Sequence, residues 1–141
     1  MKVSNLAIIS AAHEDVEFLE HKLDAFNRSQ IPLAQKKTTF KNYVIKEGEK
    51  IIAGISAMVF PWGILFIDVV FVDDNHRNKG LGSSLLQKVE AEAKALGATV
   101  SNLNSFDFQA KDFYLKQGYE IFGVLEDSPK GHNLYFLKKK L

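Results

Sequence analysis

The segment richest in chemistry reads Val72-Asp73-Asp74-Asn75-His76-Arg77-Asn78-Lys79-Gly80-Leu81-Gly82-Ser83. It follows an apolar run and opens an amphipathic one. Glycines at such a junction let the backbone curl so that several N–H groups point at one spot, and a helix start adds partial positive charge. The product is an anion site, although an ordinary strand-to-helix turn can carry the same residues. Two phosphate loops are a poor fit. A Walker loop needs Gly-Lys-Ser/Thr entering the helix, but Lys79 precedes Gly80 and Ser83 follows Gly82. A Rossmann fingerprint needs a small residue where Leu85 stands and an acid after the next strand, where Asn102 and Asn104 are found.

Asp68 is the one charge inside the apolar run Ile64 to Val72. A carboxylate there must be paired with a cation, hydrated in a cleft or shifted in pKa. His13, His21, His76 and His132 are scattered without metal-ligand spacing, and cysteine is absent. The expectation is no metal and no thiol nucleophile.

These groups need elements to hold them. Asn5 to Ser10, with Leu6, Ile8 and Ile9, reads as a first strand. Ala12 to Asn27 places Val16, Leu19, Leu23 and Phe26 on one helix face. Asn27 to Phe40 contains Pro32, lacks periodicity and reads as a loop. Asn42 to Glu47, Lys50 to Phe60 and Gly63 to Val72 are strands joined by turns too short for anything but antiparallel neighbours. Leu81, Leu85, Leu86, Val89, Ala93 and Leu96 then mark a helix, with Glu90 and Lys94 pairing on its outer side and Gly97 stopping it. Thr99 to Phe106 is a polar strand. Asp107 caps a short helix through Phe113 and Tyr114 to Gln117, and strands Tyr119 to Leu125 and His132 to Lys139 follow. Helix crossovers within an otherwise antiparallel sheet predict a mixed α/β domain spanning residues 1–141.

Arg-x-x-Gly-x-Gly after the apolar strand ending in Val72 resembles the pyrophosphate loop of the GNAT superfamily of acyl-CoA-dependent N-acyltransferases. Tyr114-Leu115-Lys116-Gln117-Gly118-Tyr119 has the family's spacing of a tyrosine four residues before a Gly-aromatic pair, with Ala110 and Phe113 in its usual small and apolar positions. The order of elements agrees along essentially the whole chain.

The resemblance implies a mostly antiparallel GNAT-like sheet with flanking helices, in which the fourth and fifth strands splay apart to admit the pantetheine arm of acetyl-CoA. Arg77, Asn78, Lys79, Gly80, Leu81 and Gly82 would hold the pyrophosphate. Phe71 and Val72 would pair with the pantetheine like an added strand. Asp107 stands where the family often has an asparagine that contacts the cofactor, a departure that a helix cap would also explain. Tyr114 would supply a proton to the departing thiolate, since a phenol near pKa 10 stays protonated at neutral pH. Asp68 would take the amine's proton through water or attract its ammonium form, an ion pair with a nearby lysine being the structural alternative. Lys36, Lys37 and Lys41 are cations available to the cofactor's 3′-phosphate. Phe60, Trp62 and Tyr43 are candidate walls for a primary amine on a small molecule or peptide.

Composition bounds the rest. The 141 residues are 46% hydrophobic and 25% charged, which excludes disorder and suits one domain. With 18 basic and 17 acidic residues the net charge is +1, so no nucleic-acid partner is expected. Met1 to Leu6 has no leader-like apolar core, and the longest apolar stretch is broken by Asp68, so a cytoplasmic chain without a membrane partner is expected. A homodimer through the C-terminal strands is expected by analogy. The rival to an enzyme is a non-catalytic acyl-CoA sensor on the same fold.

Overall fold

Hydrogen-bonded ladders decide which of the expected strands exist. The computed structural model describes residues 5–141; Met1 to Ser4, where the absence of a leader was read, lie outside the described residues. Asn5 to Ser10 forms no strand. Its apolar residues suit extended backbone, but a strand needs a neighbour to take its ladder bonds, and none pairs with it among the described residues. The strands expected as second to seventh are therefore β1 to β6.

The chain forms two compact units, one ending at Pro32 and one beginning at Leu33. In the first, helix α1 spans His13–Gln30, starting one residue and ending three residues later than expected. The Asp15 carboxylate accepts the Ala12 N–H at 2.8 Å, and Arg28 Nε donates to Asp24 at 2.6 Å. The helix stops at Ile31, which is extended at φ −126° and ψ 130°, because the residue before a proline is disfavoured in helical conformation.

In the second unit, β1 (Thr39–Glu47), β2 (Lys50–Phe60) and β3 (Ile64–Val72) form the expected antiparallel meander. Helix α2 (Leu81–Ala95) crosses to β4 (Val100–Phe106), which lies parallel to β3. Helix α3 (Lys111–Lys116) leads to the hairpin of β5 (Glu120–Leu125) and β6 (Leu134–Lys140). The sheet order is β1-β2-β3-β4-β6-β5, a mixed, mostly antiparallel arrangement as the resemblance implied. Leu85, Leu86, Val89 and Ala93 of α2 bury their stripe with Ile55, Val59, Leu65, Leu103 and Leu137 of the sheet. Each large aliphatic side chain buried there stabilises the fold by about 1.5–3 kcal/mol.

One expectation fails at this core. Glu90 is not on the outer side with Lys94: it is buried, accepts Tyr119 Oη–H at 2.7 Å and pairs with Lys139 at 2.9 Å. It follows Leu86 by four and precedes Ala93 by three, so it shares their face. Lys139, near the end of the last strand, is accordingly drawn inward.

Candidate active site

The feature that makes a site is a strand pair that separates. β3 and β4 pair only at Ile64–Val100, Leu65–Ser101 and Phe66–Asn102. Beyond Phe66, β3 keeps its ladder with β2, and β4 keeps its ladder with β6. The cause is visible in the β2–β3 register: Ser56 opposes Val69 and Ala57 opposes Ile67, so Asp68 is an extra residue, a bulge. A bulge bends its strand and increases its twist, and β3 leaves β4 there. At the branch point Asn102 Nδ2 donates to the Leu65 carbonyl at 3.1 Å. The opening leads into a cleft of about 680 Å³, lined by Val70, Phe71 and Val72, the segment after β3, the first turn of α2, and Phe108 to Gln117.

One wall is an anion cradle. A 3₁₀ turn at Asp74–His76 is followed by Asn78 at φ 62° and Gly80 at φ 79°. This left-handed stretch turns the chain into α2, and the glycine adopts it without the Cβ penalty. The first backbone bond of α2 runs from Ser84 N–H to the Gly80 carbonyl at 3.0 Å. The N–H groups of Leu81, Gly82 and Ser83 therefore lack acceptors among the described residues and face a ligand with the positive end of the helix dipole. Gly82 lets the helix start pack closely: a Cβ there would lie 3.2 Å from Phe113 Cζ, tight enough that the ring must give way. Arg77 donates from Nε to the Val72 carbonyl at 3.3 Å and pairs with Asp74 at 2.9 Å. Of the loop residues named from sequence, Arg77, Asn78, Gly80, Leu81 and Gly82 line the cleft with Phe71 and Val72, while Lys79 does not.

Tyr114 sits on the opposite wall, 8% exposed. Its ring is edge-on to Phe113 and Tyr119, at 5.1 and 5.9 Å between centroids. Burial pushes its phenol up to about 12. Its hydroxyl has no hydrogen-bond partner among the described residues, so the group that faces the cleft is a neutral donor. Tyr119 behind it is locked: its hydroxyl bonds Ser101 Oγ and Glu90 Oε2, each at 2.7 Å, and burial, more than the adjacent carboxylate, holds that phenol protonated.

Other candidates are placed differently. Asp68 is exposed on the bulge, outside the cleft lining, with no ion pair among the described residues, so the lysine partner considered from sequence is not found. Asp107 does not cap α3, whose N-cap is Ala110. Its oxygens accept from His132 Nδ1 at 2.9 Å and from the Asn133 N–H at 2.8 Å, and it does not line the cleft. The Asn133 bond first and the His132 bond second hold its carboxyl below the usual range. Lys41 and Tyr43 are bound to Glu92 of α2, which removes that lysine from the cations available to a phosphate. Phe60 and Trp62 stack on each other at 6.1 Å.

Sequence reasoning missed His76, Phe108, Lys116 and Gln117 in the cleft wall. Gln117 Nε2 donates to Ser83 Oγ at 2.8 Å and ties α3 to the first turn of α2. The three-residue spacing from Tyr114 to Gln117, which puts both on one face of the helix, was the signal available for Gln117. No three His, Asp or Glu side chains gather as metal ligands among the described residues, and no helix there is long and apolar enough to cross a membrane.

Comparison with known proteins agrees with this geometry. The model of the acetyltransferase (GNAT) family matches residues 8–119. A blasticidin-S acetyltransferase of Streptomyces morookaense is 32% identical over 120 residues, 84% of this chain and 88% of that protein. The crystal structure of an acetyltransferase from Bacillus cereus ATCC 14579 superposes with a TM-score of 0.88 at 34% identity, covering 98% of this chain and 99% of the other. An aminoglycoside 6′-N-acetyltransferase solved with coenzyme A shares the fold at a TM-score of 0.62 and 16% identity, over 95% and 97% of the two chains.

Proposed function

This chain belongs to the GNAT family of acetyltransferases and is an acetyl-CoA-dependent N-acetyltransferase, and on that premise we propose that it acetylates a primary amine of a small molecule by direct attack within a ternary complex. The observation that carries the reading is the open β3–β4 pair beside an anion cradle, with a neutral phenol on the facing wall.

In this scheme the loop from Arg77 to Gly82 holds the pyrophosphate, and the unpaired edge of β3 near Phe71 and Val72 holds the pantetheine amides. The amine nitrogen attacks the thioester carbon, the carbonyl oxygen becomes an oxyanion, and backbone donors at the open edge stabilise it. The C–S bond then breaks, the thiolate leaves, and the attacking nitrogen sheds a proton to give the amide. Tyr114 serves the leaving sulfur. With the phenol at about 12 and thiols near 8.5, its contribution is a hydrogen bond that strengthens as charge develops on sulfur, the final proton coming from the amine. Asp68, exposed at the bulge, draws in the ammonium form of the acceptor by charge, and that ammonium gives a proton to bulk water before its nitrogen attacks. Blasticidin S, the substrate named for the Streptomyces relative, is the first acceptor to try.

The working compartment we propose is the cytoplasm, and the working assembly a homodimer through the edge strand β5, where Ile121, Phe122, Val124 and Leu125 are exposed. Light scattering after gel filtration reads the assembly. The cofactor is tested by thermal melting with acetyl-CoA against adenosine 3′,5′-bisphosphate and NAD. Ligand at about a hundred times its Kd stabilises by about 2.7 kcal/mol, a rise of several degrees. An amine panel read by thiol release follows, free of background because the protein has no cysteine. No shift with acetyl-CoA overturns the proposal.

A further inference from the structure

His76 is a cleft-wall residue that the scheme above does not use. Its ring is 15% exposed and stands between two carboxylates: Nδ1 is 3.1 Å from Asp73 Oδ2, and Nε2 is 3.2 Å from Glu47 Oε2. A carboxylate oxygen only accepts hydrogen bonds, so both contacts are bonds only when both ring nitrogens carry hydrogen. The charged groups around the ring are Asp73 of its own turn, Glu47 at the end of β1, and Lys50 at the start of β2, which reaches Asp73 Oδ2 at 3.7 Å. Arg77 beside it is already paired with Asp74.

We propose that His76, resting on the acetyl-CoA reading above, is a positioning residue that holds the phosphate loop as an imidazolium, so that cofactor binding is coupled to its proton. Two effects follow when the proton leaves. One ring nitrogen then presents a lone pair to a carboxylate, and the tie from the loop to the β1–β2 turn is lost. Glu47 and Asp73 also stand less compensated beside a site that must accept an anionic pyrophosphate, and like charges repel.

The test is calorimetric titration of acetyl-CoA between about pH 6 and pH 8, the range in which histidines ordinarily change charge. Wild-type affinity should fall about two- to fivefold relative to a His76→Gln variant over that range, the size of one partly exposed ion-pair interaction. Ionisation of the cofactor's own 3′-phosphate contributes equally to both proteins and cancels in the comparison. Glu47→Gln, at an exposed turn position, should flatten the wild-type slope from the other side by removing one of the two carboxylates. A merely structural histidine would alter stability without altering the pH slope of binding. Identical slopes in wild type and Glu47→Gln overturn the proposal even if His76→Gln does not fold. Wild type that binds no acetyl-CoA at either pH overturns this proposal and the functional reading together, a result distinct from binding with equal slopes.

Discussion

Tyr119 stands edge-on to Tyr114, with ring centroids 5.9 Å apart and planes at 71°. The two phenols divide their tasks. The inner hydroxyl is bound on both sides by Ser101 and Glu90, and the outer one is left free toward the cleft.

Replacing Tyr114 by Phe removes a hydroxyl that no protein group among the described residues uses. Stability should stay within about 0.5 kcal/mol of wild type and acetyl-CoA affinity should be unchanged. The turnover number should fall by about 10²- to 10³-fold, the loss of one hydrogen-bond donor to a developing charge. Steady-state kinetics beside a thermal-shift titration check this, and a variant with full turnover would remove Tyr114 from the chemistry.

Tyr119→Phe should show the reverse balance. It leaves Ser101 Oγ and Glu90 buried with one partner fewer, at a cost of about 1–3 kcal/mol. Urea denaturation should find that loss, with a smaller change in turnover than Tyr114→Phe gives. A variant as stable as wild type would show that the pocket recruits water or repacks.

The two loop glycines should fail differently. Gly80 has open space around its missing Cβ but sits at φ 79°, so Gly80→Ala meets backbone strain of about 1–2 kcal/mol. Gly82 is helical, and its substitution meets Phe113 at 3.2 Å. Alanine's helix propensity offsets part of that by about 1 kcal/mol, so Gly82→Ala should melt near wild type while displacing Phe113 and weakening acetyl-CoA binding. Denaturation and calorimetry on the pair distinguish the cases.

Acid should loosen β1 from α2. Hydrogen bonds from Tyr43 first, then from Lys88 and Lys41, hold the Glu92 carboxyl at about 2, below its ordinary 4.5. A depressed carboxyl contributes stability that is present above its unfolded pKa and is lost as pH falls through the folded value. The urea midpoint of wild type should therefore drop from about pH 4.5 downward. Glu92→Gln should be less stable at neutral pH and show a shallower fall over the same window. Equal slopes would exclude Glu92 as the acid-sensitive tie.

Much of the site was legible because its chemistry is local. Gly80 and Gly82 announce a backbone that must curl and pack closely, and the apolar stripe from Leu85 to Ala93 announces the helix that follows. Tyr114 was legible only through its spacing from Gly118 and Tyr119 and the family resemblance that spacing carries. Asp107 shows the boundary: its type and its place before a helix suggest an N-cap, yet its carboxylate is taken by residues on the far side of a hairpin.

What the sequence by itself determined is the set of properties governed by backbone preference and by residue spacing within an element: the helix over Leu81 to Ala95, the meander before it, and the anion-binding turn between them. Tertiary structure decided the rest. Leu6, Ile8 and Ile9 make no strand because a ladder needs a partner. Glu90 shares the inner face of its helix by spacing, but it is tolerated there because Tyr119 and Lys139, 29 and 49 positions away, supply its hydrogen bonds. The cleft opens because one extra residue at Asp68 bends β3 away from a neighbour that begins only at Val100. Each of these outcomes depends on which distant group arrives, and spacing along the chain encodes only which near ones can.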